Sequence, residues 1–300
     1  MANMPARSMA GAVAIVTGAG SGLGRAHALA LARDGACVLA NDLPAAADAV
    51  QELATEIIDA GGRASVALVS AAEERAGEQL VARAVDEFGR LDIVVSNAGT
   101  LASSLFPGVG DADWELHNVV HAHAAFRLTR AAWPVLMAQD YGRIVLTTSA
   151  GGLFGAPGLA AYGASKLSVA GLMRVLAVEA AGTGVRVNAV APLAWTPMSQ
   201  AGGRVGSTAQ ILGSERFATF QPEHVSELVV LLSHPRCPAH GQILTAGGGR
   251  VAEVLIAETW GYRGRPLDWR ELLERWDEVT SRTGLTYPAS MREELANFVW

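Results

Sequence analysis

The sequence predicts an α/β protein. It has a single doubly wound parallel sheet over residues 11–250, a flexible start over residues 1–10 and a C-terminal extension over residues 251–300. Three observations carry that reading. Short apolar runs alternate with helix-like patterns, which buries a parallel sheet between two layers of helices. The first apolar run opens directly into a glycine-rich turn and a helix. Past Arg250 the alternation stops, and Trp260, Trp269, Trp276 and Trp300 stand in a stretch with one helical pattern, residues 266–279.

Residues 13–17 form the first predicted strand, because a short apolar run suits a strand covered on both faces. Residues 27–35 continue as a helix that stops at Gly35. Residues 37–40 make a second strand, closed by Asn41-Asp42, and residues 45–60 a helix ahead of Gly61-Gly62. Strand 65–69 with helix 73–88 repeats the pair, as does strand 91–96 with a long helix over 113–137. Strand 144–148, helix 161–181 and strand 186–190 follow, then helix 222–232 and a last short strand, 243–246. Crossovers are expected to be right-handed. Residues 199–213 are rich in Gly, Ser and Thr without a period, which predicts a lid loop.

Composition narrows the function. Of the 300 residues, 50% are hydrophobic and 17% charged, enough to fill a core and to exclude disorder. A net charge of −6 argues against a nucleic-acid surface. Cys37 and Cys237 are too few for a disulfide framework, which favours a reducing compartment. No apolar stretch is long enough to span a membrane. The N-terminus lacks a secretory pattern, and the final Asn-Phe-Val-Trp carries neither a peroxisomal nor a prenylation tail, so a cytoplasmic location is expected.

The glycine-rich turn is Gly18-Ala-Gly20-Ser-Gly22-Leu-Gly24. Glycines let a backbone approach a pyrophosphate, and the helix behind them offers free N–H groups and a positive dipole end. Asp42 closes the next strand, where a carboxylate can bind both ribose hydroxyls and repel a 2′-phosphate. The pair therefore predicts a Rossmann-type site for NAD rather than NADP. A tight turn and a loop aspartate are the plainer alternative.

Tyr162 and Lys166 are four apart in a helical stretch and share a face. Ser149 lies just past a strand end, at the sheet edge where ligands bind. Lys166 is the only lysine beside 22 arginines. A phenol with a cation beside it ionises more readily and can take an alcohol proton as hydride leaves to a nicotinamide. Ser149 can hold the substrate oxygen by a hydrogen bond. Apolar Leu153, Phe154, Trp195 and Met198 suggest either a greasy substrate pocket or ordinary core packing. His117, His121 and His123 invite a metal, but only the first two share a helix face and no Glu or Cys completes a ligand set, so no metal is expected. The lack of a Gly-x-Ser-x-Gly elbow argues against a hydrolase. A non-enzymatic NAD-binding module stays open as the rival; it would need no Ser149, Tyr162 and Lys166.

Thr17-Gly18-(x)3-Gly22-x-Gly24, Asn97-Ala98-Gly99, and Ser149 with Tyr162-(x)3-Lys166 stand in an order that resembles the short-chain dehydrogenase/reductase family. The resemblance covers residues 11–249. It implies hydride exchange between NAD(P) and an alcohol or ketone. Tyr162 would be the general base, and Lys166 would lower its pKa and bind the ribose. Cofactor contacts are implied at Gly18, Ser21, Gly22, Leu23, Gly24, Asp42, Asn97, Ala98, Gly99, Tyr162, Lys166, Pro192 and Thr196, the last on the nicotinamide carboxamide. Homodimers or homotetramers are implied too.

Two segments, 120–133 and 191–198, together with the tail past Gly249, are similar to the 3-hydroxyacyl-CoA dehydrogenase unit of multifunctional enzyme type 2. That likeness implies a 3-hydroxyacyl-CoA substrate, with a hydroxysteroid or other small hydrophobic alcohol as alternatives. His121 stands where most of the family has an Asn of the proton relay, and is expected to hold water by its carbonyl or its imidazole. That subfamily's insert is absent after the second strand. No Asp stands in residues 64–72, where many members bind the adenine amino group; Leu68 or Val69 is expected there.

Overall fold

A computed structural model describes residues 9–201, 214–264 and 268–298. Eight strands form one sheet in the order β3-β2-β1-β4-β5-β6-β7-β8. They are β1 Val13–Thr17, β2 Cys37–Asp42, β3 Arg63–Leu68, β4 Ile93–Ser96, β5 Gly142–Thr147, β6 Val185–Pro192, β7 Ile243–Gly247 and β8 Arg250–Val254. All pairs from β3 through β7 are parallel. The chain leaves β1 toward β2 and β3, then returns to β4 on the other side of β1. The strand order reverses there, which opens a crevice at the carboxyl ends of β1 and β4.

The helices are α1 Gly22–Arg33, α2 Ala47–Asp59, α3 Ala76–Phe88, α4 Asp111–His117, α5 Ala124–Ala138, α6 Ala150–Leu153, α7 Ala160–Glu179, α8 Pro197–Ala201, α9 Glu215–Ala218 and α10 Pro222–Ser233. Three more lie near the end: α11 Trp269–Glu274, α12 Trp276–Val279 and α13 Met291–Ala296. Ile15, Leu39, Ile93 and Ile144, from four adjacent strands, are fully buried. That is why these strands appear in the sequence as unbroken apolar runs rather than alternating ones. The chain divides into two compact units, Met1–Glu253 and Val254–Trp300.

Several elements differ from expectation. α1 begins at Gly22, five residues before His27, because the last glycines of the turn are themselves helical. Helix 113–137 is not continuous: residues Asn118–His123 form a π turn between α4 and α5. β8 lengthens the sheet where the alternation was expected to stop. Helix 266–279 is two short helices that meet at Arg275, and residues 265–267 lie outside the described residues. The lid expected over 199–213 starts in α8, and residues 202–213 lie outside the described residues. Of the start expected to be flexible, residues 1–8 also lie outside them, but Met9 is buried and its N–H bonds Asp34 O at 3.0 Å.

Candidate active site

The crevice is a cleft of about 500 Å³ at the carboxyl ends of the central strands. Gly18, Ser21, Gly22, Leu23, Asp42, Asn97, Ala98, Gly99, Tyr162, Lys166, Pro192 and Thr196 all line it. Two glycines show why the loop has no side chains. Gly18 has φ +68°, and a Cβ there would lie 2.9 Å from Ala98 Cα. Gly24 does not line the cleft; a Cβ on it would fall 1.9 Å from Gly18 O, so its bareness lets α1 close up under the loop. Ser21 caps α1 without a side-chain bond, leaving the first-turn amides to the cleft.

Thr17 joins the two sides of the crevice. Its Oγ1 accepts the N–H groups of Asn97 and Ala98, each at 3.0 Å, while Asn97 Nδ2 donates to Thr17 O at 3.0 Å. Thr17 entered the sequence motif without a role; its pairing with Asn97 was the available signal. Asp42 Oδ2 accepts from Gly20 N at 2.8 Å and Oδ1 from Leu43 N at 2.7 Å. The carboxylate therefore braces the glycine loop and keeps lone pairs for a ligand. Thr196 sits opposite Gly22, its Cβ 3.3 Å from the place a Gly22 Cβ would take. The far wall is Ser70, Ala71 and Ala72, not Leu68 or Val69. Leu68 is exposed, and Asn41 Nδ2 holds Val69 O at 2.8 Å, so the small residues after it face the cleft.

Ser149 follows β5 and caps α6, its Oγ accepting from Gly151 N at 3.1 Å. α7 presents Tyr162 and Lys166 one turn apart. Lys166 is buried, and its Nζ donates to Thr147 O at 2.8 Å. Burial lowers its pKa from 10.5 to about 8. Burial also raises the Tyr162 phenol, and a hydrogen bond with Ser149 pulls the other way. The lowering expected from Lys166 does not act on the phenol in this state: burial dominates, and the amine donates to a backbone carbonyl instead.

His121 is buried, with both ring nitrogens engaged. Thr100 N donates to Nε2 at 2.9 Å, and Nδ1 meets Ser165 Oγ at 2.8 Å. Its imidazole therefore does not hold a water, which corrects half of the expected relay role. Burial first, then the charge of Lys166 and the neighbouring His117, push its pKa down to about 2. His123 is exposed. Among the described residues no three His, Cys, Asp or Glu side chains are placed to hold a metal.

This arrangement defines a class: a doubly wound dinucleotide-binding oxidoreductase acting on CH–OH groups. The sequence pattern of the short chain dehydrogenase family matches residues 12–202, and the chain belongs to that family. It is 36% identical over 300 residues to mouse peroxisomal multifunctional enzyme type 2, covering 96% of this chain but 39% of that protein. It is also 36% identical over 258 residues to the hydroxyacyl-CoA dehydrogenase ChsB1 of Mycobacterium tuberculosis, covering 82% of this chain and 80% of that one. The structure of full-length peroxisomal multifunctional enzyme type 2 from Drosophila melanogaster superposes with a TM-score of 0.79 at 28% identity, covering 96% of this chain and 49% of that one. The chain thus spans less than half the length of either multifunctional relative.

Proposed function

We propose that the protein is an NAD-dependent 3-hydroxyacyl-CoA dehydrogenase. One observation carries the chemistry: Ser149 Oγ and the Tyr162 ring converge beside Gly151, each 3.5 Å from where a Cβ on it would lie, and Lys166 lies one helical turn on, at the edge of a cleft that also holds the glycine loop and Asp42. The cleft fits NAD, since Gly18 and Gly22 leave room where side chains would intrude, α1 offers free amides, and Asp42 supplies an acceptor. When bound, NAD supplies the hydride acceptor.

The chain's own residues do the rest. Asp42 takes the ribose hydroxyls, and its charge disfavours a 2′-phosphate. Ser149 Oγ donates to the substrate oxygen and orients it. Tyr162 Oη takes the hydroxyl proton. Lys166 Nζ lies behind it, ready to exchange Thr147 O for a ribose hydroxyl. Half-buried Trp195, packed on Phe217 with ring centroids 5.6 Å apart, and exposed Phe154 and Met198 give apolar surface for an acyl chain. The named activity of ChsB1 supports the acyl-CoA class.

A homodimer or homotetramer belongs to the same proposal. α7 exposes Leu167, Gly171, Val175 and Val178 along one face, a stripe that a second copy would cover. The free, buried Cys37 and Cys237 suit a reducing, cytoplasmic setting. The test follows NADH appearance with two substrate panels, 3-hydroxyacyl-CoAs and hydroxysteroids, for the native protein and Tyr162→Phe. Turnover of the CoA panel, lost in Tyr162→Phe, is expected. Turnover of steroids alone moves the substrate to the alternative class. Bound NAD without turnover of any alcohol makes the chain a binding module.

A further inference from the structure

His117 and His121 lie one turn apart where α4 enters the π turn, and both are buried. Each accepts one backbone N–H from the loop after β4. Thr100 donates to His121 Nε2 at 2.9 Å, and Ala102 donates to His117 Nε2 at 3.1 Å. A ring nitrogen that accepts carries no proton, so in both rings Nε2 is bare and Nδ1 bears the hydrogen. The protonated nitrogens are engaged too. His117 Nδ1–H gives to Asp113 O at 2.6 Å, and His121 Nδ1–H gives to Ser165 Oγ at 2.8 Å. Ser165 Oγ in turn donates to Tyr162 O at 2.9 Å. Both imidazoles also meet the Tyr162 ring edge-on, His121 at 5.4 Å and 89°, His117 at 6.2 Å and 90° between ring planes.

We infer that His117 and His121 form a paired clamp that positions Tyr162. It fixes the loop at the floor of the cleft to the catalytic helix and walls the phenol on one side, and it exchanges no proton with substrate. The inference rests on the proposed function for the meaning of Tyr162. It departs from a relay role because no nitrogen of either ring is left to hold water. It is more than packing, because an apolar ring of the same size would keep the edge-on contact and strand two N–H groups. The His121 imidazole stays neutral for a physical reason. Burial disfavours its charged form, the Lys166 charge adds to that, and a proton on Nε2 would point at the Thr100 N–H.

The side-chain amides separate the two bonds of His121. A Gln places its amide near Nε2 and can still accept from Thr100; an Asn places it near Nδ1 and can still reach Ser165. The experiment compares His121→Phe, His121→Gln and His121→Asn with the native protein. Steady-state kinetics use NAD and 3-hydroxydecanoyl-CoA, and amide hydrogen exchange is followed over residues 97–102.

His121→Phe is expected to lose about a hundredfold in kcat, the scale of a reacting group displaced by about an ångström, with a much smaller rise in KM for NAD. Exchange over 97–102 should speed up in the same variant. His121→Gln should restore the protection and part of kcat, and His121→Asn neither. If His121→Phe fails to fold, His117→Phe applies the same test at Ala102. Native kcat in the Phe variant, or a kcat loss with unchanged exchange, overturns the clamp. If the native protein oxidises no alcohol, the proposed function fails while the exchange measurements still decide whether the histidines hold the loop.

Discussion

Replacing Lys166 by methionine separates stability from turnover. The ammonium is buried with one backbone partner, Thr147 O at 2.8 Å, and burial brings its pKa from 10.5 to about 8. At about 1.4 kcal/mol per tenfold change in proton affinity, the fold carries a cost of about 3 kcal/mol when the amine is charged. Between those two pKa values the unfolded chain binds the proton and the folded chain does not. The cost is therefore complete below about pH 8, eases as pH rises through the window, and is gone above the unfolded value. Methionine is unbranched and fills the channel, but it leaves Thr147 O without its donor, a loss of about 1 kcal/mol.

Lys166→Met should thus be about 2 kcal/mol more stable than the native protein at neutral pH. Urea unfolding should show that margin shrinking as pH climbs past 8. Turnover with NAD and a 3-hydroxyacyl-CoA should fall about a hundredfold or more. A variant less stable than native at neutral pH would refute the burial argument, and one with native turnover would refute the assigned role.

Gly24→Ala places a methyl 1.9 Å from Gly18 O, so the loop must shift; NAD binding by calorimetry should vanish and stability fall by about 2 kcal/mol or more. Asp42→Ala removes the acceptor for Gly20 and Leu43 and the charge that disfavours a 2′-phosphate. Its kcat/KM with NAD should drop about tenfold while the value with NADP rises, and an unchanged ratio would detach Asp42 from cofactor choice. Ser149→Ala should lower kcat about a hundredfold. It also removes the hydrogen bond that pulls the Tyr162 pKa down, so the rising limb of the kcat–pH profile should move to higher pH.

The central strands were legible because burial on both faces makes a strand continuously apolar, as in Val13–Thr17. Tyr162 and Lys166 were legible because a four-residue spacing in a helix fixes a shared face. The π turn was not, because bonds from His117 and His121 to Ala102 and Thr100, 15 and 21 residues away, hold that segment. β8 was missed because Arg250, Val251 and Glu253 on this last strand are exposed and two of them are charged, so it gives no apolar run. The wall at Ser70–Ala72 was missed because small residues carry no signal until Asn41 fixes the backbone ahead of them. The charge state of the phenol depends on burial, which spacing does not report.

At the opposite ends of the strands, buried Arg143 opens β5 and spreads its guanidinium over the carbonyls of Gly142, Gly184, His234 and Pro235. Four bonds of one rigid fork rivet β5 to the approach to β6 and the exit from α10. The register of β5 against β6 is thereby pinned from the edge away from the cleft, so the strand ends that lead to Ser149 and Pro192 are set by contacts remote from any bound ligand.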